Sequence, residues 1–302
     1  MPKMRRRRHI VLMPGMATAP RFMDAIGEAL ADRLKAHGDD RPSVQTVFPY
    51  GDWGRHLVLQ LREISVDLGL SPGRAERSIG ARRIRAELQE LTTLEEVLIV
   101  GHSGGGVAGL HVSRWLRKEF PHLRLRNVLV GSPKCRVLPD EQHAVLAIRA
   151  SSLDGRTVDP VGRLGSWGGW ERTLLGLVRW NRWKFAPQTR IELPIVGGHP
   201  DYFRGYAPYV DETGMSNLEK TAGCIENWLS AINRGGRGAE RNSVPLHSRI
   251  MKKKRPESGL ELGRGRRLGG GRCEFGLFPA PGVFFCQKAA FGAVAREMKI
   301  RK

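Results

Sequence analysis

Val97-Leu98-Ile99-Val100-Gly101-His102-Ser103-Gly104-Gly105-Gly106 is the stretch on which the fold of this chain turns. An uncharged run rich in β-branched residues leads straight into Gly-x-Ser-x-Gly. A uniformly apolar run of this length predicts a central parallel strand covered on both faces. Beyond the glycines, Val107, Leu110, His111, Trp115 and Leu116 recur at helical spacing, with Arg114, Arg117 and Lys118 on the other side, which predicts an amphipathic helix. Ser103 then stands at the apex of a strand, a sharp turn and a helix. A nucleophile held on so tight a turn sits at strained backbone angles, and neighbours lacking Cβ atoms let the chain fold back. Gly-x-Ser-x-Gly alone is common by chance, and its bland reading is a flexible turn. The strand before it and the helix after it make Ser103 a candidate nucleophile.

The rest of the chain repeats the alternation. Strands, most of them apolar and 43–48 alternating, are predicted at residues 9–13, 43–48, 127–130, 144–148 and 190–196 in addition to 96–100, with helices at 21–37, 55–68, 75–91 and 217–232. Strands alternating with helices imply an α/β fold with a mostly parallel sheet of about six strands, flanked by helices on both faces. Residues 9–232 are expected to form this domain. Residues 1–8 form a basic extension containing Arg5-Arg6-Arg7-Arg8, and residues 233–302 a glycine- and arginine-rich tail without periodicity, expected to be disordered.

The chain has 302 residues and a formal net charge of +20. The final 70 residues hold 17 Lys and Arg against 5 Asp and Glu, so the basic balance describes the ends and not the candidate domain. The tail's Lys252-Lys253-Lys254-Arg255 has no nucleic-acid recognition motif beside it, and weak contact with polyanions is the most it implies. Cys135, Cys224, Cys273 and Cys286 share no metal-ligand spacing and read as ordinary thiols. No run of about 18 apolar residues predicts a transmembrane segment. The apolar piece at residues 10–13 is too short for a signal-peptide core, so the expected location is cytoplasmic. No metal or organic cofactor is implied.

A serine nucleophile needs an imidazole within hydrogen-bond reach and a carboxylate to hold its tautomer. On a doubly wound sheet these lie past the carboxyl ends of later strands, in the order serine, acid, histidine. After the strand at 144–148 stand Asp154 and Asp159, which the sequence leaves close to even. After the strand at 190–196 stands His199, behind two glycines. His102, His111, His122 and His143 read as packing, surface or supporting groups. An oxyanion hole needs two backbone N–H donors. Gly104 is one candidate, and the loop Pro14-Gly15-Met16-Ala17-Thr18 offers Met16 first and Ala17 next. Between acid and base lie Trp167, Trp170, Trp180 and Trp183 among leucines. These fit a cap whose aromatic faces, Trp167 and Trp170 included, form a substrate pocket, and they fit a core helix equally well. Arg179, Arg182 and Lys184 read as a solvated helix face.

Four short motifs occur in order: Gly101-His102-Ser103-Gly104-Gly105, Val130-Gly131-Ser132-Pro133-Lys134, Asp159-Pro160-Val161-Gly162-Arg163-Leu164-Gly165, and His199-Pro200-Asp201-Tyr202-Phe203. Together they resemble the class 3 (fungal-type) lipases of the α/β-hydrolase superfamily over about residues 9–232. The resemblance implies an α/β-hydrolase fold, a serine esterase or lipase-like activity on a small-molecule or lipid ester, and Asp159 as the triad acid. The chain shows neither the signal peptide nor the well-marked lid of that family's secreted lipases, so the expected activity is general carboxylester hydrolysis. The same triad also serves thioester hydrolysis or acyl transfer, and a non-catalytic hydrolase-like binding protein is the alternative of a different class.

Overall fold

Apolar strands of this composition lose least when covered on both faces, and that is how they assemble. The computed structural model describes residues 8–36, 42–88, 95–152, 155–174 and 176–235. Asp154, Cys273, Cys286, most of the basic extension and the tail from residue 236 onward lie outside the described residues. The strands β1 (Arg8–Met13), β2 (Ser43–Thr46), β3 (Glu96–His102), β4 (Arg124–Val130), β5 (Val145–Ser151) and β8 (Thr189–Pro194) form one sheet in the order β2-β1-β3-β4-β5-β8. Every pairing in it is parallel. The mostly parallel six-stranded sheet expected from the sequence is the one observed.

Side chains alternate across the pleat, so each of the four central strands feeds a core on both faces. On one face Ile10, Leu12, Leu98, Val100, Val128, Val130, Leu146 and Ile148 pack with the helices α1 (Asp24–Ala36) and α5 (Asn217–Gly235), through Ile26, Leu30, Ile225 and Leu229. On the other, Val11, Met13, Val97 and Ile99 pack beneath Val112, Trp115 and Leu116 of α4 (Gly104–Glu119). Each fully buried branched side chain contributes about 1.5–3 kcal/mol. The helix α5 runs three residues past the boundary expected at 232.

The chain runs from β1 outward to β2, then returns past β1 to form β3. The carboxyl ends of β1 and β3 therefore flank the point where strand order reverses, which is where open α/β sheets hold their ligands. Over that end lies α2 (Leu57–Gly69), fixed from below by Asp67. This buried carboxylate accepts hydrogen bonds from Tyr50 Oη (3.0 Å), Ser78 Oγ (2.7 Å), Ile79 N (2.8 Å) and Gly80 N (2.9 Å).

One predicted helix, and the tryptophan-rich segment that the spacing allowed to be another, take other forms. Residues 75–91, expected as one helix, begin inside a 3-10 turn (Pro72–Arg77), break at Ser78 and continue as the short α3 (Ile79–Arg83). Ser78 causes the break: its hydroxyl donates to Asp67 and accepts from Ala81 N, which caps a new helix and ends the old turn. The tryptophan-rich segment, which the sequence left open between a cap and a core helix, is not a helix. It is an antiparallel hairpin of β6 (Gly169–Arg172) and β7 (Val178–Asn181), with Gly176 at φ 79° in its turn.

Candidate active site

The turn after β3 is as sharp as its glycines permit. Ser103 has φ 54° and ψ −127°, a left-handed conformation that a side-chain-bearing residue adopts only when its surroundings enforce it. Two contacts do so. The Ser103 N–H donates to the Val130 carbonyl at 3.0 Å, which ties the apex to β4. Gly105 lies so close to β1 that a Cβ there would stand 1.8 Å from the Met13 carbonyl oxygen, so α4 begins directly beneath the turn.

Asp159 and His199 enter from the ends of β5 and β8. The His199 Nδ1–H donates to the Asp159 carboxylate, 2.9 Å from Oδ1 and 3.0 Å from Oδ2. With Nδ1 as the donor, the neutral ring keeps its lone pair on Nε2. Asp159 also accepts the Val161 N–H at 2.9 Å and the Tyr202 hydroxyl at 2.7 Å. Burial pushes the Asp159 carboxyl up, but the hydrogen bond and charge of His199, and then the Tyr202 hydroxyl, outweigh it and hold the group below its ordinary value. The Tyr202 hydroxyl accepts the Ala150 N–H at 2.6 Å, and burial followed by the Asp159 charge raises its own pKa well above the usual phenol value. Sequence reasoning gave Tyr202 no role. Its only signal was its place in the motif three residues after His199.

His102 connects the Ser103 turn to His199. Its ring stacks on that of His199 with centroids 4.7 Å apart, and its Nε2–H donates to the His199 carbonyl at 3.0 Å. Burial, and then the nearby His199 charge, push His102 down to about 3, so it is a neutral packing partner at ordinary pH. Asn217, at the start of α5, holds the same segment from behind: its Nδ2 donates to the Val196 and Asp201 carbonyls at 2.7 and 2.9 Å.

The loop after β1 closes the other side. A Cβ on Gly15 would stand 2.7 Å from Ser103 Cβ, which measures how closely this loop abuts the serine. The two candidate donors in it differ. Ala17, at φ 50°, gives its N–H to Gln60 Oε1 at 3.0 Å, whereas the Met16 N–H has no acceptor among the described residues. Gln60 is buried on α2 and anchors itself by donating from Nε2 to the Asp52 and Arg55 carbonyls at 2.8 and 2.9 Å. Gly104 is the first residue of α4, whose opening N–H groups have no partner within the helix.

A cleft of about 290 Å³, counted with its solvent-open part, is lined by Met16, Ile64, Ser103, Gly104, Pro133, Val161 and Leu164. Neither tryptophan expected in a pocket is there. Trp167 is buried in the core against Leu129 and Ala186, and Trp170 is exposed on the hairpin. Strand order, the elbow at Ser103 and the position of the Asp159–His199 pair past later strands describe one architecture. The chain has the α/β-hydrolase fold.

No protein-family model matches the chain, and no curated protein matches it. Similar solved structures include RedJ, a thioesterase from the prodiginine biosynthetic pathway of Streptomyces coelicolor, 14% identical with a TM-score of 0.39 over 73% of this chain and 86% of that one. YbtT, a type II thioesterase from the yersiniabactin biosynthetic pathway, is 12% identical with a TM-score of 0.35 over 78% and 94%. The lin2722 product of Listeria innocua is 13% identical with a TM-score of 0.34 over 79% and 96%. At these values the likenesses say nothing of activity. No described helix is long and apolar enough to cross a membrane.

Proposed function

We propose that the protein is a serine hydrolase that cleaves a carboxylic ester through an acyl-enzyme. The observation that most supports this reading is the buried Asp159–His199 hydrogen bond beside a serine held at positive φ, all at the carboxyl end of one parallel sheet. Ser103 is the nucleophile, His199 the general base and then acid, and Asp159 the carboxylate that orients His199. As substrate seats, the Ser103 hydroxyl bonds to His199 Nε2, gives it the proton and attacks the acyl carbon. The N–H groups of Gly104 and Met16 receive the developing oxyanion, and the N-terminus of α4 favours the same charge. His199 returns the proton to the departing alcohol. Water then repeats the sequence to release the acid. Ala17, engaged by Gln60, supports the loop instead of donating to the oxyanion.

The cleft's apolar lining favours a hydrocarbon acyl group, and the motifs resembling class 3 lipases support an ester substrate. The same attack serves a thioester, and hydrolysis rates on matched acyl esters and thioesters distinguish the two. Labelling by a fluorophosphonate probe tests the reading: the full chain is expected to label, and Ser103→Ala and His199→Ala to abolish the label. A well-folded chain that does not label overturns it in favour of a non-catalytic binding protein.

A further inference from the structure

We infer that the β6–β7 hairpin is a docking element for an anionic lipid bilayer. Its pleat sorts the side chains into two faces. Glu171, Arg179 and Asn181 occupy one, where Glu171 accepts from Arg179 Nε at 2.7 Å and Asn181 Nδ2 at 2.8 Å, so that face is polar and satisfied. Trp170, Val178 and Trp180 occupy the other, with Arg172 at its turn end opposite Val178, and with Trp170 cross-strand from Trp180 and their rings 5.3 Å apart, edge to face. That apolar face is turned to solvent: Trp170 is 63% exposed, Val178 60% and Trp180 50%, and Leu177 in the turn is 66% exposed. A ribbon of two strands with its apolar face outward gains nothing from water, and such a patch marks a surface built to be covered.

Charge decides the occupant. Residues 169–190 hold five Lys and Arg (Arg172, Arg179, Arg182, Lys184 and Arg190) against the single Glu171, which Arg179 already pairs. A second copy of this face would bring the remaining cations against their own kind, which disfavours self-association. An anionic bilayer supplies the complement of every feature: acyl chains for Leu177 and Val178, the headgroup boundary for the two indoles, and phosphates for the cations around them. Leu164, in the wall of the Ser103 cleft, lies five residues before β6 on the same connection, so a docked hairpin holds the cleft beside the membrane.

The test is co-sedimentation of the full chain with vesicles of 30 mol% phosphatidylglycerol in phosphatidylcholine, against pure phosphatidylcholine, read together with tryptophan quenching by brominated acyl chains. The wild-type chain is expected to bind the anionic vesicles and be quenched. Trp170→Gln with Trp180→Gln, and separately Leu177→Asp, should each weaken binding about tenfold or more and reduce the quenching. All three positions are exposed, so circular dichroism should be unchanged. Variants that bind as the wild type does assign the attachment to the basic tail and overturn the inference. A wild-type dimer that the variants convert to monomer overturns it as well, because the face is then a protein interface. Neither readout depends on hydrolase activity.

Discussion

At Asp159 burial and hydrogen bonding act in opposite directions, and hydrogen bonding prevails. The carboxylate stays charged because His199, Tyr202 and the Val161 N–H occupy its oxygens. Asp159→Asn leaves the shape and removes that charge, and an amide facing Nδ1 stabilises the wrong tautomer. Under the proposed mechanism its kcat/KM on an ester substrate should fall about 10³–10⁴-fold. Tyr202→Phe leaves the buried Ala150 N–H and one Asp159 oxygen short of a partner, which costs about 1–3 kcal/mol, read as a lower urea midpoint. His102 contributes in a pH-dependent way. Its pKa is about 3 folded against 6.5 unfolded, so its contribution is complete above pH 6.5 and is lost as pH falls from there toward 3. Melting temperature measured against pH should therefore fall less steeply below 6.5 for His102→Gln than for the wild type, the difference growing by at most roughly 1.4 kcal/mol per pH unit. Ser103 was legible in the sequence because an elbow is a local pattern. Tyr202 was not, because its bond to Asp159 joins residues 43 apart and leaves no periodicity to read.

Among the elements, α2 ties the candidate site together. Gln60, Ile64 and Asp67, spaced four and three residues apart, share its buried face: Asp67 enters the network that starts α3, Ile64 the cleft wall, and Gln60 holds the loop after β1. Gln60→Ala releases Ala17 and, under the proposed mechanism, lets the Met16 N–H wander from the oxyanion. Steady-state kinetics should show kcat reduced about 10–100-fold with KM little changed, since the lost interaction develops only in the transition state. The strands of the sheet were readable because burial on both faces demands uniformly apolar runs, as in residues 97–100. The break at Ser78 was not, because its partner Asp67 belongs to another element. The hairpin was misread for a different reason: Trp170, Leu174, Leu177 and Val178 fit a helical face by spacing, and only the turn at Gly176 tells the ribbon from the helix.

Across the whole molecule, charge and candidate chemistry occupy different parts of the chain. Residues 236–302 hold 16 Lys and Arg against 5 Asp and Glu, so a chain ending at Gly235 has a formal net charge of +9 instead of +20. None of Met16, Gln60, Ser103, Gly104, Asp159 or His199 lies in that segment, and α5, which closes one core, ends at Gly235. Ending the chain there should leave the rate of fluorophosphonate labelling within about twofold of the full chain. Elution from heparin should move to lower salt, because a chain with fewer cations releases fewer counterions on binding. Attachment through the hairpin should respond differently. Its apolar contacts are not screened by salt, so the shortened chain should still sediment with anionic vesicles at ionic strengths that strip it from heparin. Loss of vesicle and heparin binding together would place all membrane attachment in the tail and leave the exposed tryptophans without that role.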